Sequence, residues 1–129
     1  MKDMETNKTI KVLVVEDEQS IRSVYVEYLK MEGFEVAEAK DGEDALVKAK
    51  DFDFDVILLD IMLPKIDGLE VLKAIKKVEK LKDKPVILLT ALGRDSLITK
   101  GFELGADGYL IKDQATPELV KKEIMKLVK

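Results

Sequence analysis

The chain reads as an α/β domain: a doubly wound, five-stranded parallel sheet with helices on both faces. Three observations predict it. Short β-rich apolar runs alternate with stretches of helical periodicity. Most of the runs are apolar throughout rather than at every second residue, as strands covered on both faces must be. A chain of 129 residues has room for one such domain, and no Gly/Ser/Pro linker, repeat or low-complexity tract divides it.

In order, residues 10–15 form the first strand, and Ile21, Val24, Tyr25, Tyr28 and Leu29 make an apolar stripe on the first helix. Gly33 closes that helix. Residues 34–37 alternate and suit an edge strand; Asp41 and Gly42 open a second helix over 42–50. Residues 56–59 are the third strand, 69–78 the third helix and 86–89 the fourth strand. A fourth helix over 95–104 carries Gly101, which weakens its propensity. The fifth strand is 109–111. Thr116 and Pro117 then supply a hydroxyl cap and a first-turn proline for a last helix with Val120, Ile124, Leu127 and Val128 on one face. With right-handed crossovers and the weakest strand at an edge, the flavodoxin-like strand order 2-1-3-4-5 follows. Residues 1–8 are read as a poorly ordered lead-in and 9–129 as the domain.

Composition narrows the chemistry. The sequence has no Cys and no His, which removes disulfides, zinc-thiolate sites, Ser-His-Asp triads and phosphohistidine within this chain. A net charge of −4 argues against nucleic-acid binding over the whole surface. The mixed charges of residues 1–8 and the lack of a long apolar run predict neither leader nor membrane insertion, hence a cytoplasmic protein.

In an open α/β sheet, ligands bind beyond the carboxyl ends of the strands. There the sequence places Glu16, Asp17 and Glu18 after the first strand, Asp60 after the third, Thr90 after the fourth and Lys112 after the fifth. Any one of these acids alone is ordinary turn chemistry, and Glu18 reads as no more than that. Their joint occurrence at four strand ends is a site. Two carboxylates 4–5 Å apart repel by ~4 kcal/mol at an effective dielectric near 20, so a cluster of three calls for a proton or a cation. All-oxygen donors select a hard cation, and Mg²⁺ suits a site with carboxylates, a carbonyl, waters and a phosphate oxygen.

The pair Glu16-Asp17, the segment Asp60-Ile61-Met62-Leu63-Pro64-Lys65-Ile66-Asp67-Gly68, the pair Thr90-Ala91 and the run Gly105-Ala106-Asp107-Gly108-Tyr109-Leu110-Ile111-Lys112 carry a resemblance. Together they resemble the receiver domain of two-component response regulators, over about residues 9–128. The resemblance implies that Asp60 accepts a phosphoryl group as an acyl phosphate. It implies Mg²⁺ on Asp17, Asp60 and the backbone carbonyl of Met62, with Glu16 acting through water. Lys112 and Thr90 would hold the phosphoryl oxygens, and Tyr109 would be an aromatic switch that turns inward with Thr90. An aspartate carboxylate of ordinary acidity needs no general base at neutral pH, so the missing His is no obstacle. Pro64 and Gly68 shape the loop and the helix entry.

One position departs from the pattern. The family follows its lysine with proline through a cis peptide, whereas Lys112 is followed by Asp113. A non-prolyl cis bond costs ~2.5–4 kcal/mol, so a trans or strained bond is expected and the reach of Lys112 is what a structure must decide. The positions two after Asp60 and two after Thr90, Met62 and Leu92, are both apolar and cannot orient a hydrolytic water, which predicts a long-lived phosphoryl state.

The implied partners are a sensor histidine kinase or phosphotransfer protein upstream and a protein target downstream. The target face is the fourth helix, fifth strand and fifth helix, which carries Lys121, Lys122 and Lys126, although lysines there also suit a merely solvated face. The sequence ends with the last helix, and the chain is read as a stand-alone switch without metabolite turnover. Two other classes remain. A Mg²⁺-dependent phosphatase of the haloacid-dehalogenase type needs a second Asp where Met62 stands, and a receiver-like module that is never phosphorylated is kept open by Asp113.

Overall fold

The computed structural model describes residues 9–128; the lead-in assigned to residues 1–8 lies outside the described residues. The elements are β1 (Lys11–Val15), α1 (Gln19–Met31), β2 (Glu35–Ala39), α2 (Gly42–Asp51), β3 (Val56–Asp60), α3 (Gly68–Lys76), β4 (Val86–Thr90), α4 (Asp95–Glu103), β5 (Gly108–Ile111), a 3₁₀ turn at Lys112–Gln114 and α5 (Pro117–Leu127). All strand pairings are parallel, in the order β2-β1-β3-β4-β5. The expected order and element sequence are therefore those of the molecule.

Alternation along each strand sends side chains to two cores. Leu13, Val15, Ile57, Leu59, Val86 and Leu88 face the side covered by α2 and α3, where Ala45, Ala49, Val71, Leu72 and Ile75 pack. Val12, Val14, Val56, Leu58, Ile87, Leu89 and Leu110 face α1 and α5, with Tyr25, Val26, Leu29, Val120 and Ile124. The phase of α1 differs from the expected stripe: Val24 is 52% exposed and Val26 is buried. Both lie about 100° from Tyr25, on opposite sides, and the sheet is on Val26's side. Val128 falls just past the end of α5, as its cap, and still packs against the core.

The two expected caps form: Asp41 accepts from the Asp44 amide at 2.8 Å and Thr116 from Leu119 at 3.2 Å, with Pro117 in the first turn. Asp67 caps α3 in the same way, accepting from Glu70 at 3.0 Å. Gly33 sits at φ 95° just beyond α1. Gly101 has a packing reason: a Cβ there would fall 2.3 Å from Leu88 Cδ1, so its absence lets α4 approach β4.

Gly68 bears most directly on the carboxyl edge of the sheet. A Cβ on it would lie 2.3 Å from the Asp60 carbonyl oxygen and 2.7 Å from Ile61 Cα, so the start of α3 rests directly on the backbone that carries Asp60. The amide of Gly68 also donates to the Ile61 carbonyl at 2.8 Å. Backbone on both sides cannot yield as a side chain can. Gly68→Ala is expected to destabilise the fold by about 2–3 kcal/mol, read as a lower urea midpoint; an unchanged midpoint would mean the contact is loose.

Candidate functional site

The acidic groups gather where the sheet predicts. Glu16 continues the parity of Val12 and Val14, Asp60 that of Val56 and Leu58, and Lys112 that of Leu110, so all three sit toward the α1 and α5 face at the carboxyl edge. Glu16 and Asp60 are fully buried, while Asp17 is exposed at the mouth. One carboxylate oxygen from each of Glu16, Asp17 and Asp60 lies within 4.8 Å of the others.

Lys112 compensates this charge. Its ammonium donates to Asp60 Oδ2 at 3.0 Å and to Glu16 Oε2 at 3.4 Å, and faces Glu16 Oε1 at 3.1 Å. No residue between 9 and 128 follows a cis peptide, so the Lys112–Asp113 bond is trans, and the lysine reaches the site all the same. The Asp113 departure therefore does not displace it. Burial is the largest influence on the ammonium and pulls its pKa down, but the hydrogen bond and charge of Asp60, with Glu16 behind them, outweigh it and hold Lys112 well above its usual range.

Glu16 is the strained member. Burial pushes its carboxyl up to about 7; the Glu18 amide hydrogen bond pulls it back, the Asp60 charge pushes it up again, and Lys112 lowers it. Its Oε1 is buried without a hydrogen-bond donor. A buried carboxylate with one oxygen that has only the Lys112 ion pair and no hydrogen bond, in a cluster that brings one oxygen each of Glu16, Asp17 and Asp60 within 4.8 Å, is what an oxygen-seeking divalent cation would satisfy. The donor set fits Mg²⁺.

Asp60 Oδ1 accepts from the Met62 amide at 3.0 Å, which turns the chain after β3 and fixes the carboxylate. The Met62 side chain points outward, 52% exposed. Lys65, in the same loop, adopts φ 67° and reaches toward Asp41 and Glu43 at 3.6 Å each. Thr90 is buried at the end of β4, paired with Ile111 of β5, and its hydroxyl donates weakly to the Ala91 carbonyl at 3.4 Å. Tyr109 is not a core residue: it is 42% exposed and meets Phe102 edge-on, with centroids 6.1 Å apart. Glu18 is exposed, is not among the clustered carboxylates, and meets the site through its amide, which donates to Glu16 Oε2 at 3.1 Å.

Two residues of α1 also serve the site and are not among the expected ones. Arg22 donates from Nη1 to the Glu16 carbonyl at 2.8 Å and from Nε to Glu38 at 2.8 Å, so it pins the backbone between Glu16 and Asp17. The Tyr25 hydroxyl donates to the Ala115 carbonyl at 2.8 Å. The bonds to Glu16 and Ala115 end on main-chain carbonyls, for which a sequence carries no signal.

A buried acid pair, an exposed acid and a shared lysine at the switch point of a 2-1-3-4-5 sheet agree with the chain's similarity to known proteins. The response regulator receiver domain matches residues 12–123. The chain belongs to that family. It is 42% identical over 116 residues to the transcriptional regulatory protein ResD of Bacillus subtilis, covering 90% of this chain and 47% of ResD. It is 40% identical over 109 residues to the transcriptional regulatory protein SrrA of Staphylococcus aureus, covering 84% of this chain and 44% of SrrA. The chain thus spans about half the length of these curated relatives. Among solved structures, the chemotaxis protein CheY4 of Vibrio cholerae superposes with a TM-score of 0.88 at 35% identity, over 94% of this chain and all of that one. This receiver domain is accordingly a signalling switch of the response-regulator class. No helix among its described residues is long and apolar enough to cross a membrane.

The crowding of acids has a measurable consequence in the metal-free protein. Glu16→Gln removes one of two buried negative charges while Asp60 keeps Lys112, and is expected to raise the melting temperature in chelator by about 3–6 °C. The same variant should show a smaller Mg²⁺-induced rise than the parent. A fall in melting temperature would show that Glu16 contributes more through Lys112 than it costs beside Asp60.

Proposed function

We propose that this receiver domain accepts a phosphoryl group on Asp60 and signals by the change in shape that this produces. Mg²⁺ would be held by Asp17, Asp60 and the Met62 carbonyl, with Glu16 acting through water. When bound, it would neutralise charge on the phosphoryl oxygens. The observation that carries this reading is the 3.0 Å pairing of Lys112 with Asp60 beside two further carboxylates.

In the transfer, a carboxylate oxygen of Asp60 forms a bond to phosphorus as the bond from phosphorus to the donor breaks. The donor keeps the electron pair and takes up a proton from solvent. Since these 129 residues contain no His, a phosphohistidine donor lies outside them, on a histidine kinase or phosphotransfer protein; a small acyl phosphate can also serve. Lys112, now on the Asp60 carboxylate, is in reach of the transferred group's oxygens and compensates their charge. The Thr90 hydroxyl exchanges its long bond to Ala91 for a phosphoryl oxygen, and Tyr109 turns inward from its exposed position. The downstream partner is a protein that reads α4, β5 and α5, with Tyr109, Lys121, Lys122 and Lys126. Residues 9–129 act as one switching unit in the cytoplasm, without turnover of a metabolite. The phosphatase reading has no support in the loop after Asp60, where the residue two positions on is the outward-facing Met62.

Acetyl phosphate with Mg²⁺ is expected to label the protein stoichiometrically, and Asp60→Asn to abolish the label. Continuous phosphate release without stoichiometric label would instead favour a phosphatase, and no label an inert module. Met62 and Leu92 are both exposed apolar side chains beside the site's loops, so the label should decay several-fold more slowly than in Met62→Asn or Met62→Glu, on the order of 3–10-fold. Faster decay in the parent than in either variant contradicts this.

A further inference from the structure

The loop that delivers Lys112 has an unusual problem. Lys112 is followed by Asp113 in a trans peptide, so no prolyl ring fixes the chain there. Asp113 and Gln114 are exposed, and the hydrogen bonds within the loop are short-range: the Ala115 amide to the Lys112 carbonyl at 3.3 Å and the Thr116 amide to the Gln114 carbonyl at 3.1 Å. Such bonds shape the turn without placing it. Lysine carries considerable side-chain freedom, and an ammonium that must meet two carboxylates needs its backbone held from outside.

We propose that Tyr25 is a positioning residue for phosphoryl transfer, anchoring through its hydroxyl the loop that carries Lys112. The tyrosine is buried in α1, and its hydroxyl donates 2.8 Å to the carbonyl of Ala115, a buried residue three positions past Lys112. Tyr25, Leu110, Ala115, Val120 and Ile124 belong to one core, so the ring is wedged where β5 passes into α5. On the far side of the loop, the Thr116 cap holds the start of α5. Lys112 is thus suspended between the end of β5 and a carbonyl pinned by α1. Burial pushes the Tyr25 phenol above its ordinary range, and the charge of Glu16 adds to this, with Lys112 acting in the opposite sense; the hydroxyl stays a donor and lies within electrostatic reach of the site it serves.

The same helix holds the other half of the site, since Arg22, one turn before Tyr25, donates to the Glu16 carbonyl. Helix α1 therefore sets the distance between the acid loop and the lysine loop without contributing an atom to the chemistry.

This inference rests on the phosphoryl-acceptor reading of Asp60, and a double-mutant cycle tests it. Tyr25→Phe keeps the ring and removes the hydroxyl. Labelling by acetyl phosphate with Mg²⁺ is expected to slow roughly 3- to 10-fold in Tyr25→Phe, and less than about 2-fold when the change is made on a Lys112→Ala background. Ile124→Val, which loosens the same core without touching the loop, should label at the parent rate. Equal slowing on both backgrounds, equal slowing by Ile124→Val, or no slowing at all would overturn the proposal. A second readout needs no phosphorylation: amide hydrogen exchange across residues 112–116 should accelerate in Tyr25→Phe beyond that of α5, and exchange at the parent rate would overturn it too. If the parent itself takes no label that Asp60→Asn removes, the acceptor reading fails, while the exchange measurement still decides whether Tyr25 holds the loop.

Discussion

One ammonium group organises the carboxyl edge of this sheet. Lys112 meets Asp60 at 3.0 Å and Glu16 at 3.1 Å, and without it two buried acids would face each other with nothing between. Burying like charges together is among the costlier things a small domain does. Here the cost is contained by geometry that comes from far apart in the chain. The acids arrive on two adjacent central strands, the lysine on the edge strand two places away, and helices on both faces keep water from the remaining sides. The balance is incomplete, as the raised Glu16 pKa and its Oε1 without a donor record. A fully satisfied network would have no use for a cation or an incoming phosphate.

The core explains how such a site can be tolerated. Every residue of β3 and β4 is buried, and these strands run directly into Asp60 and Thr90. Gly68 lets α3 close on the Asp60 backbone, and Gly42 brings the start of α2 against the Ile66 backbone, where a Cβ would lie 2.0 Å from the carbonyl oxygen. Stability gathered in the strands is held against a cluster that on its own would push apart.

Much of this is legible in the sequence, for identifiable reasons. Unbroken apolar runs such as 56–59 and 86–89 leave little choice but buried parallel strands, and the residue that ends each run then falls at the ligand edge. Glu16, Asp17, Asp60 and Lys112 are found by that rule and do meet. Helix phase is harder: Val24 and Val26 flank Tyr25 symmetrically, and the sequence does not say which side the sheet lies on. The trans Lys112–Asp113 peptide is one of two expected outcomes, and the lysine's reach is decided only in three dimensions. Arg22 and Tyr25 escape notice because the bonds by which they serve the site end on main-chain carbonyls, which every residue has. Tyr109, whose type suits a core aromatic, is exposed at the edge strand and meets Phe102 edge-on.

Helix α4 differs from its neighbours in how it is held. Its fully buried residue is Gly101, which has no side chain to interlock, and its N-cap, Arg94, makes no side-chain cap bond, whereas α2, α3 and α5 each begin with one. The loop leading into it, with Leu92 and Gly93, is exposed and passes through a positive φ at Gly93. Helix α1 also begins without a side-chain cap bond but buries Tyr25, Val26 and Leu29, so by these contacts α4 is the most lightly held of the five helices. Load is shared according to stiffness, so strain introduced beside Thr90 would be expected to move α4 before the better-held helices. The molecule would in that sense be a spring with a preferred direction.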